Sequence, residues 1–319
     1  MNALKKIRTH IARPGISRRK SHAWIKIIAR EFLYPPIYWY RAHRHHVPGL
    51  DIQALIYRLG LRLMIRGKFG IVLSQKLLSS PMDSVRYFEF DFFRRGVLNQ
   101  SNLKNYLDIS SPRLFPALVL QDFPQTKMTL VNPDIKDLEI TKELFSACRL
   151  DSRCRFLNDP ISHLHLIGQS FDMITSMSVI EHIPGGKDVS ALKKMWSLLQ
   201  PNGRLLISVP CAQTAFEEYI DYNEYGLLKP DEDSYVLGQR FYDRMLLQDR
   251  FWNITGTPSH MAVYGEKQEG VFFRNRQERL TSDDYPFWWE PYFMGLNYQK
   301  YDSIDDLPGI GVVAMEFVK

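Results

Sequence analysis

Glu181 and His182 stand side by side just beyond a short β-rich run, Ser170 to Ser178, that ends in small hydroxyl residues. An imidazole titrates near neutrality, so His182 has the chemistry to take a proton from a hydroxyl while a bond forms to its oxygen. The same pair also suits a plainer task, hydrogen-bonding the start of the next helix and shaping a pocket. Further on, Glu218, Tyr219, Tyr222 and Tyr225 gather carboxylate and aromatic chemistry in one stretch. Aromatic faces cover rings and carboxylates accept from hydroxyls, which fits a small-molecule or carbohydrate acceptor; an ordinary polar loop with buried rings has the same composition. Metal chemistry is not signalled. Cys148, Cys154 and Cys211 show no ligand spacing, and His43, His45 and His46 sit in a basic stretch with no acid or cysteine beside them.

The elements that must position these groups form one repeating unit. Phe171 to Ser178 reads as a strand. Asp188 to Leu199 places Val189, Leu192, Met195, Trp196 and Leu199 at helical spacing, with Lys193 and Lys194 on the other side. Pro201-Asn202-Gly203 ends that helix and a second strand follows to Pro210. Strand, helix, strand without a hairpin implies a parallel pair with a right-handed crossover. Asn105–Ser110, Lys127–Asn132 and Cys154–Asn158 read as three earlier strands, and Ile310–Val318 as the last.

The words SFDMITSMSVIEHIP and LLQPNGRLLISVP, joined by that amphipathic helix, resemble the second half of class I S-adenosylmethionine-dependent methyltransferases. The resemblance covers about residues 100–319. It implies an α/β fold with a seven-stranded, mostly parallel, doubly wound Rossmann-like sheet whose last strand is antiparallel. It implies S-adenosylmethionine as cofactor, and methyl transfer, with oxygen the preferred acceptor atom and Glu181 and His182 at the acceptor. Roles follow position by position. Asp108, Ser110 and Ser111 occupy the first loop, where the family places an acid and glycines; this chain has Asp-Ile-Ser-Ser-Pro, with serine hydroxyls where bare backbone would face the ligand. Asn132 or Asp134 falls where a carboxylate holds the ribose hydroxyls, although Asp134 equally suits a helix cap. Asp159 would accept from the adenine amine, or simply form a turn before Pro160. Ser176 and Met177 would offer backbone groups to the methionine portion. The insert after the fifth strand, about residues 211–300, would form the acceptor pocket.

The 319 residues, 45% hydrophobic, suffice for one elaborated α/β domain with a real core. We expect residues 81–319 to form it, preceded by an N-terminal arm and helical cap over 1–80. From Met1 to His46 eleven Lys or Arg face a single acid, Glu31, so this arm carries +10 and the remainder −4 of the net +6. Its interleaved aromatics, Trp24 and Tyr34 to Tyr40 among them, suit an anionic membrane surface, or an extension packed on the catalytic domain. No nucleic-acid-binding motif accompanies the charge. Asp51 is placed to cap a helix reaching Arg66. The segment from Pro81 to Gly96 alternates Phe88, Phe90 and Phe92 with Tyr87, Glu89 and Asp91; it reads either as an extended piece with one wet face or as an element buried by its phenylalanines. Unpaired cysteines and no apparent signal sequence lead to the expectation of a cytoplasmic protein, with a peripheral place on the membrane's inner face as the variant the basic arm allows. A non-catalytic binding protein on the same fold is the alternative to an enzyme. A nicotinamide oxidoreductase is disfavoured, since no Gly-x-Gly-x-x-Gly follows the first strand.

Overall fold

The computed structural model describes residues 4–11, 33–67, 77–78, 82, 84–163, 169–223, 226–282 and 285–319. The chain opens with strand β1 (Lys5–Thr9) and helices α1 (Tyr34–Arg44) and α2 (Leu50–Arg66). Helix α2 starts after Gly49, in the left-handed conformation, rather than at an Asp51 cap. Helix α3 (Arg86–Leu98) comes next. The alternating phenylalanines of this segment therefore lie on a helix, with Phe88, Phe90, Phe92 and Phe93 all buried. Then follow β2 (Asn105–Ile109), α4 (Leu114–Asp122), β3 (Lys127–Val131), α5 (Ile135–Ala147), β4 (Cys154–Leu157), β5 (Phe171–Met177), α6 (Lys187–Leu198) and β6 (Leu199–Ala212). The insert supplies β7 (Phe216–Ile220) and β8 (Val236–Phe241). The chain closes through β9 (His260–Glu266), α7 (Val271–Thr281), α8 (Glu290–Asn297), β10 (Tyr298–Tyr301) and β11 (Ile310–Val318).

The central sheet has the order β10-β9-β11-β6-β5-β2-β3-β4. It holds eight strands, not the seven expected, because β10 adds an antiparallel edge outside β9. Only Tyr298 of this short strand is deeply buried, and Gln299 and Lys300 face solvent, as suits an edge. Strands β2 to β6 run parallel, and β11 is antiparallel to both β6 and β9. Each central strand buries both faces. Tyr106, Met173, Leu206 and Val312 pack beneath α2 to α5, while Leu107, Ile174, Leu205 and Val313 pack against α6. The apolar side of α2 is thus spent on the protein's own core. At the turn into β6, Asn202 is left-handed (φ 63°), and a Cβ on Gly203 would lie 2.8 Å from Gln200 O; only glycine lets the chain pass there.

A second sheet, β1-β7-β8, is built from the N-terminus and the insert. Strand β1 pairs parallel with β7, and acids of the insert hold it: Arg8 reaches Asp231 (3.2 Å) and Asp233 (2.6 Å), and Asp221 accepts from Ile11 N (2.9 Å) and pairs with His10. Arm residues 12–32, Trp24 included, lie outside the described residues. Helix α1 packs on α8, and Trp288 just before it meets Tyr34 and Tyr38 at 4.8 and 4.7 Å between ring centroids.

The two sheets are joined by a buried ionic cluster. Arg240 of β8 donates to Asp188 at the start of α6 (2.7 Å), to Glu217 of β7 (2.8 Å) and to Gly185 O (3.2 Å). Arg250 and Tyr242 complete the shell of Asp188 at 2.7 and 3.2 Å. Arg240→Met would leave two acids without this counter-charge in the interior. We expect a loss of about 3–5 kcal/mol in unfolding free energy, measured by urea denaturation, where an exposed ion pair would cost under about 1 kcal/mol.

Candidate functional site

From β2 the chain steps outward to β3 and β4, then returns to the other side of β2 for β5 and β6. Strand order therefore reverses between β2 and β5, and ligands of such sheets bind outside the carboxyl ends at that reversal. A cavity of about 640 Å³ lies there, lined by the ends of β2, β3 and β5 and by the segment after β4. That is room for a nucleoside-sized ligand.

The first loop builds its floor. Asp108 is fully buried and accepts from Ser111 N (3.1 Å) and Thr175 Oγ1 (2.7 Å), so its carboxylate shapes the loop from behind rather than facing the cavity. Burial raises its pKa to about 6, against the lowering by these hydrogen bonds. Ser110 and Ser111 line the cavity. Ser110 takes the left-handed conformation (φ 50°) that glycine would adopt without cost, and its hydroxyl donates to Val131 O at 3.0 Å. The Ser111 hydroxyl accepts from Met177 N at 3.3 Å. Both serine hydroxyls thus have partners within the protein, and the loop keeps its cavity without a glycine. Met177 lines the wall, whereas Ser176 is buried behind it.

Along the β3 edge, Asn132, Asp134 and Asp137 all line the cavity. Asp134 caps α5, accepting from Lys136 N (2.9 Å) and Asp137 N (3.3 Å). Asn132 donates to Asp137 Oδ2 (2.9 Å), and Arg113 holds the other oxygen of Asp137. Asp137 is a carboxylate at this edge that strand-end reading passed over, because it sits one turn into the helix. Asp159 is not among the cavity walls; Pro160 to His163 are, with His163 Nδ1 3.7 Å from the Asp159 carboxylate.

A second cavity, of about 480 Å³, opens beneath the insert. Arg86, Ser178 and His182 line both cavities, so the two spaces meet across one wall. Behind it lies Glu89 of α3, fully buried, which accepts from Ser178 Oγ, from Ser208 Oγ (2.6 Å) and from Arg86 Nη1 (2.6 Å). On β7 the side chains alternate. Glu218 and Ile220, then Tyr222, face the second cavity. Tyr219 does not line it, and instead donates to Glu217 (3.2 Å) and lies beneath Lys6 (5.0 Å). Tyr225 lies outside the described residues. Glu218 is fully buried and gripped by Arg276; burial would raise its pKa, but that hydrogen-bonded cation lowers it overall. Arg86, Arg276 and Arg279 are cavity residues with no motif to announce them, since they meet only in the fold.

Glu181 and His182 occupy a 3-10 turn, and both line the second cavity. The ring Nδ1 lies against Gly238 O, which can only accept, so Nδ1 carries the proton and Nε2 is the basic nitrogen. Nε2 is 3.7 Å from Glu181 Oε1. Burial lowers the His182 pKa to about 4, and the imidazole is neutral at physiological pH. Burial, with some help from Glu89, raises Glu181 to about 8, and its Oε2 has no hydrogen-bond partner among the described residues. No group of three or more metal-ligating side chains occurs among the described residues, and no described helix is long and apolar enough to cross a membrane.

A parallel sheet reversing at β2 and β5, with a nucleoside-sized cavity at the reversal, defines a doubly wound α/β ligand-binding fold. Residues 115–203 match the family model of a methyltransferase domain. A segment of 123 residues is 24% identical to phosphoethanolamine N-methyltransferase of Plasmodium falciparum, covering 36% of this chain and 46% of that protein. The chain thus spans about half the length of this curated relative. Solved structures with similar folds include coclaurine N-methyltransferase bound to N-methylheliamine and SAH (14% identity, 72% of this chain and 69% of that one, TM-score 0.46). Another is MccD protein (10% identity, 73% and 96%, TM-score 0.48). Residues 115–203 are thus similar to a methyltransferase domain, and S-adenosylmethionine is the cofactor this similarity indicates.

The two shifted groups give stability a distinctive pH dependence. With its pKa raised from 4.5 to about 8, Glu181 makes the folded protein lose stability as pH climbs through that range. With His182 lowered from 6.5 to about 4, stability is gained between pH 4 and 6.5. The slopes oppose each other up to pH 6.5 and only the loss remains from 6.5 to 8, worth about 2 kcal/mol. Glu181→Gln, which cannot ionise, should abolish that decline in denaturation curves and unmask a rise between pH 4.5 and 6.5 that the wild type cancels.

Proposed function

We propose that this protein transfers a methyl group from S-adenosylmethionine, held in the larger cavity, to a small-molecule or glycan-type acceptor held in the smaller. The observation that carries this reading is the shared wall: Arg86, Ser178 and His182 border both spaces, so a ligand in each would meet there. The larger cavity suits the cofactor in size and position, and the carboxylate and amide of Asp137 and Asn132 lie where ribose hydroxyls need partners.

Bound S-adenosylmethionine would supply an activated methyl group on a sulfonium, open to in-line attack. The protein's part is chiefly positioning, potentially worth about 7–11 kcal/mol when two ligands are fixed in line. His182 Nε2 accepts the acceptor hydroxyl's proton as the oxygen attacks. Gly238 O fixes the tautomer and the ring orientation. Oxygen is our preferred acceptor atom because a hydroxyl needs such a base. The relative in Plasmodium is named as an N-methyltransferase, so an amine is the alternative; it would need no base if it arrives neutral. We expect His182→Asn to lower kcat by about 10²- to 10⁴-fold on a hydroxyl acceptor while S-adenosylhomocysteine affinity stays within about threefold. Labelled-methyl transfer to a panel of hydroxylated metabolites and glycans, beside calorimetry, reads both. A protein that takes up no S-adenosylhomocysteine would instead be a non-catalytic member of the fold.

Helix α1 favours a peripheral membrane setting as an addition to this reading. Leu33, Ile37 and Tyr40 are exposed on one stripe, Arg41 and Arg44 flank it, and the helix has no acid. Wild-type protein should sediment with vesicles containing phosphatidylserine and not with phosphatidylcholine alone. Ile37→Glu with Tyr40→Glu should remove that binding without changing S-adenosylhomocysteine affinity.

A further inference from the structure

The smaller cavity has an electrostatic asymmetry that a polyol site would not need. Three arginines line it: Arg86 at the start of α3, and Arg276 and Arg279 one turn apart on α7. Each is held from behind by a carboxylate. Arg86 donates to Glu89 at 2.6 Å, Arg276 Nη1 donates to Glu218 at 2.8 Å with its second amino group on the other oxygen, and Arg279 lies 3.7 Å from Glu290. The side chains of Glu89, Glu218 and Glu290 are 0% exposed, whereas those of the three arginines are 27%, 22% and 23% exposed. Glu89 and Glu290 lie outside the cavity wall, and Glu218, although it borders the cavity, exposes no side-chain surface, so the guanidinium groups form the accessible charged surface.

We propose that this cavity binds an anionic group of the methyl acceptor, a phosphoryl or carboxylate, on Arg86, Arg276 and Arg279. The inference rests on the acceptor-site reading of this cavity and narrows its substrate class. A guanidinium has five donors in a planar fork, and the pair with Glu218 occupies two of those on Arg276, so the paired side chain remains a pre-oriented anion receptor. An anion in the cavity meets the exposed guanidinium groups before Glu89 and Glu290 behind them, and Glu218 is covered on both oxygens by Arg276; inside a partly closed, low-dielectric space that difference in distance is not screened away. Glu181 does not oppose it: burial keeps this carboxyl largely protonated at neutral pH.

The test titrates inorganic phosphate and, separately, acetate into the full-length protein by calorimetry, with and without saturating S-adenosylhomocysteine, and glycerol as the neutral control. Saturable binding of at least one anion and none of glycerol is expected, and the tighter anion assigns phosphoryl or carboxylate. Arg276→Gln should weaken it by at least about tenfold. Since that variant leaves Glu218 buried without its cation and could fold poorly, Glu218→Gln provides the opposite reading: releasing Arg276 from its counter-charge should tighten anion binding, which misfolding cannot do. Absence of saturable binding by either anion to wild type, or unchanged affinity in both variants, overturns the proposal. The S-adenosylhomocysteine titration is scored independently, so a failed methyltransferase reading shows as lost nucleoside binding even where the anion binds.

Discussion

The interior pairing of Arg240 with Asp188 and Glu217 is the constraint on which the site's geometry depends. A guanidinium taken wholly out of water requires its acids at hydrogen-bond distance, and here they come from separate parts of the fold. Asp188 begins the helix that follows Glu181 and His182, and Glu217 belongs to the sheet made by the insert. The ion cluster therefore sets the distance between the strand ends that hold one cavity and the sheet that roofs the other. A hydrophobic contact at this position would tolerate sliding; a charge with fixed partners does not.

Polar groups behind the shared wall follow the same logic. Glu89 gathers Ser178, Ser208 and Arg86, linking a helix that precedes the first parallel strand to the ends of β5 and β6. Neutral His182 and largely protonated Glu181 then sit buried beside this network, where desolvation disfavours their charged forms. Burial does here what a nearby ion would do elsewhere: it selects the protonation states, keeping the His182 imidazole neutral and Glu181 largely protonated at neutral pH.

Much of the sheet was legible because its strands read as short, largely apolar runs bounded by turns, most of them buried on both faces. Asn105–Ile109, Lys127–Val131, Cys154–Leu157 and Ile310–Val318 fall within a residue of expectation. The segment around Glu89 stayed open between an extended piece and a buried element, because a helix buried almost all round satisfies a period of two as easily as one of 3.6. Strand β10 was missed since four residues beside a helix carry too little pattern. At the site, positions at strand ends could be placed, but side-chain direction could not. Asp108 turns inward to its loop, Tyr219 takes the far side of β7 while Glu218 takes the near side, and Ser176 hides behind Met177. The arginines of the second cavity come from residues 86, 276 and 279, and no local spacing records such a meeting.

Strand β1 gives the protein a peculiar order of assembly. Residues 5–9 are synthesised well before their partners, 216–220, which follow more than two hundred residues later. Strand β1 must wait for this pairing until the insert has formed, and such distant pairings are slow to close. Because Ile11 reaches the wall of the second cavity, a change in how β1 docks would be felt by whatever binds there, although the Glu181-His182 turn lies some 170 residues further along the chain.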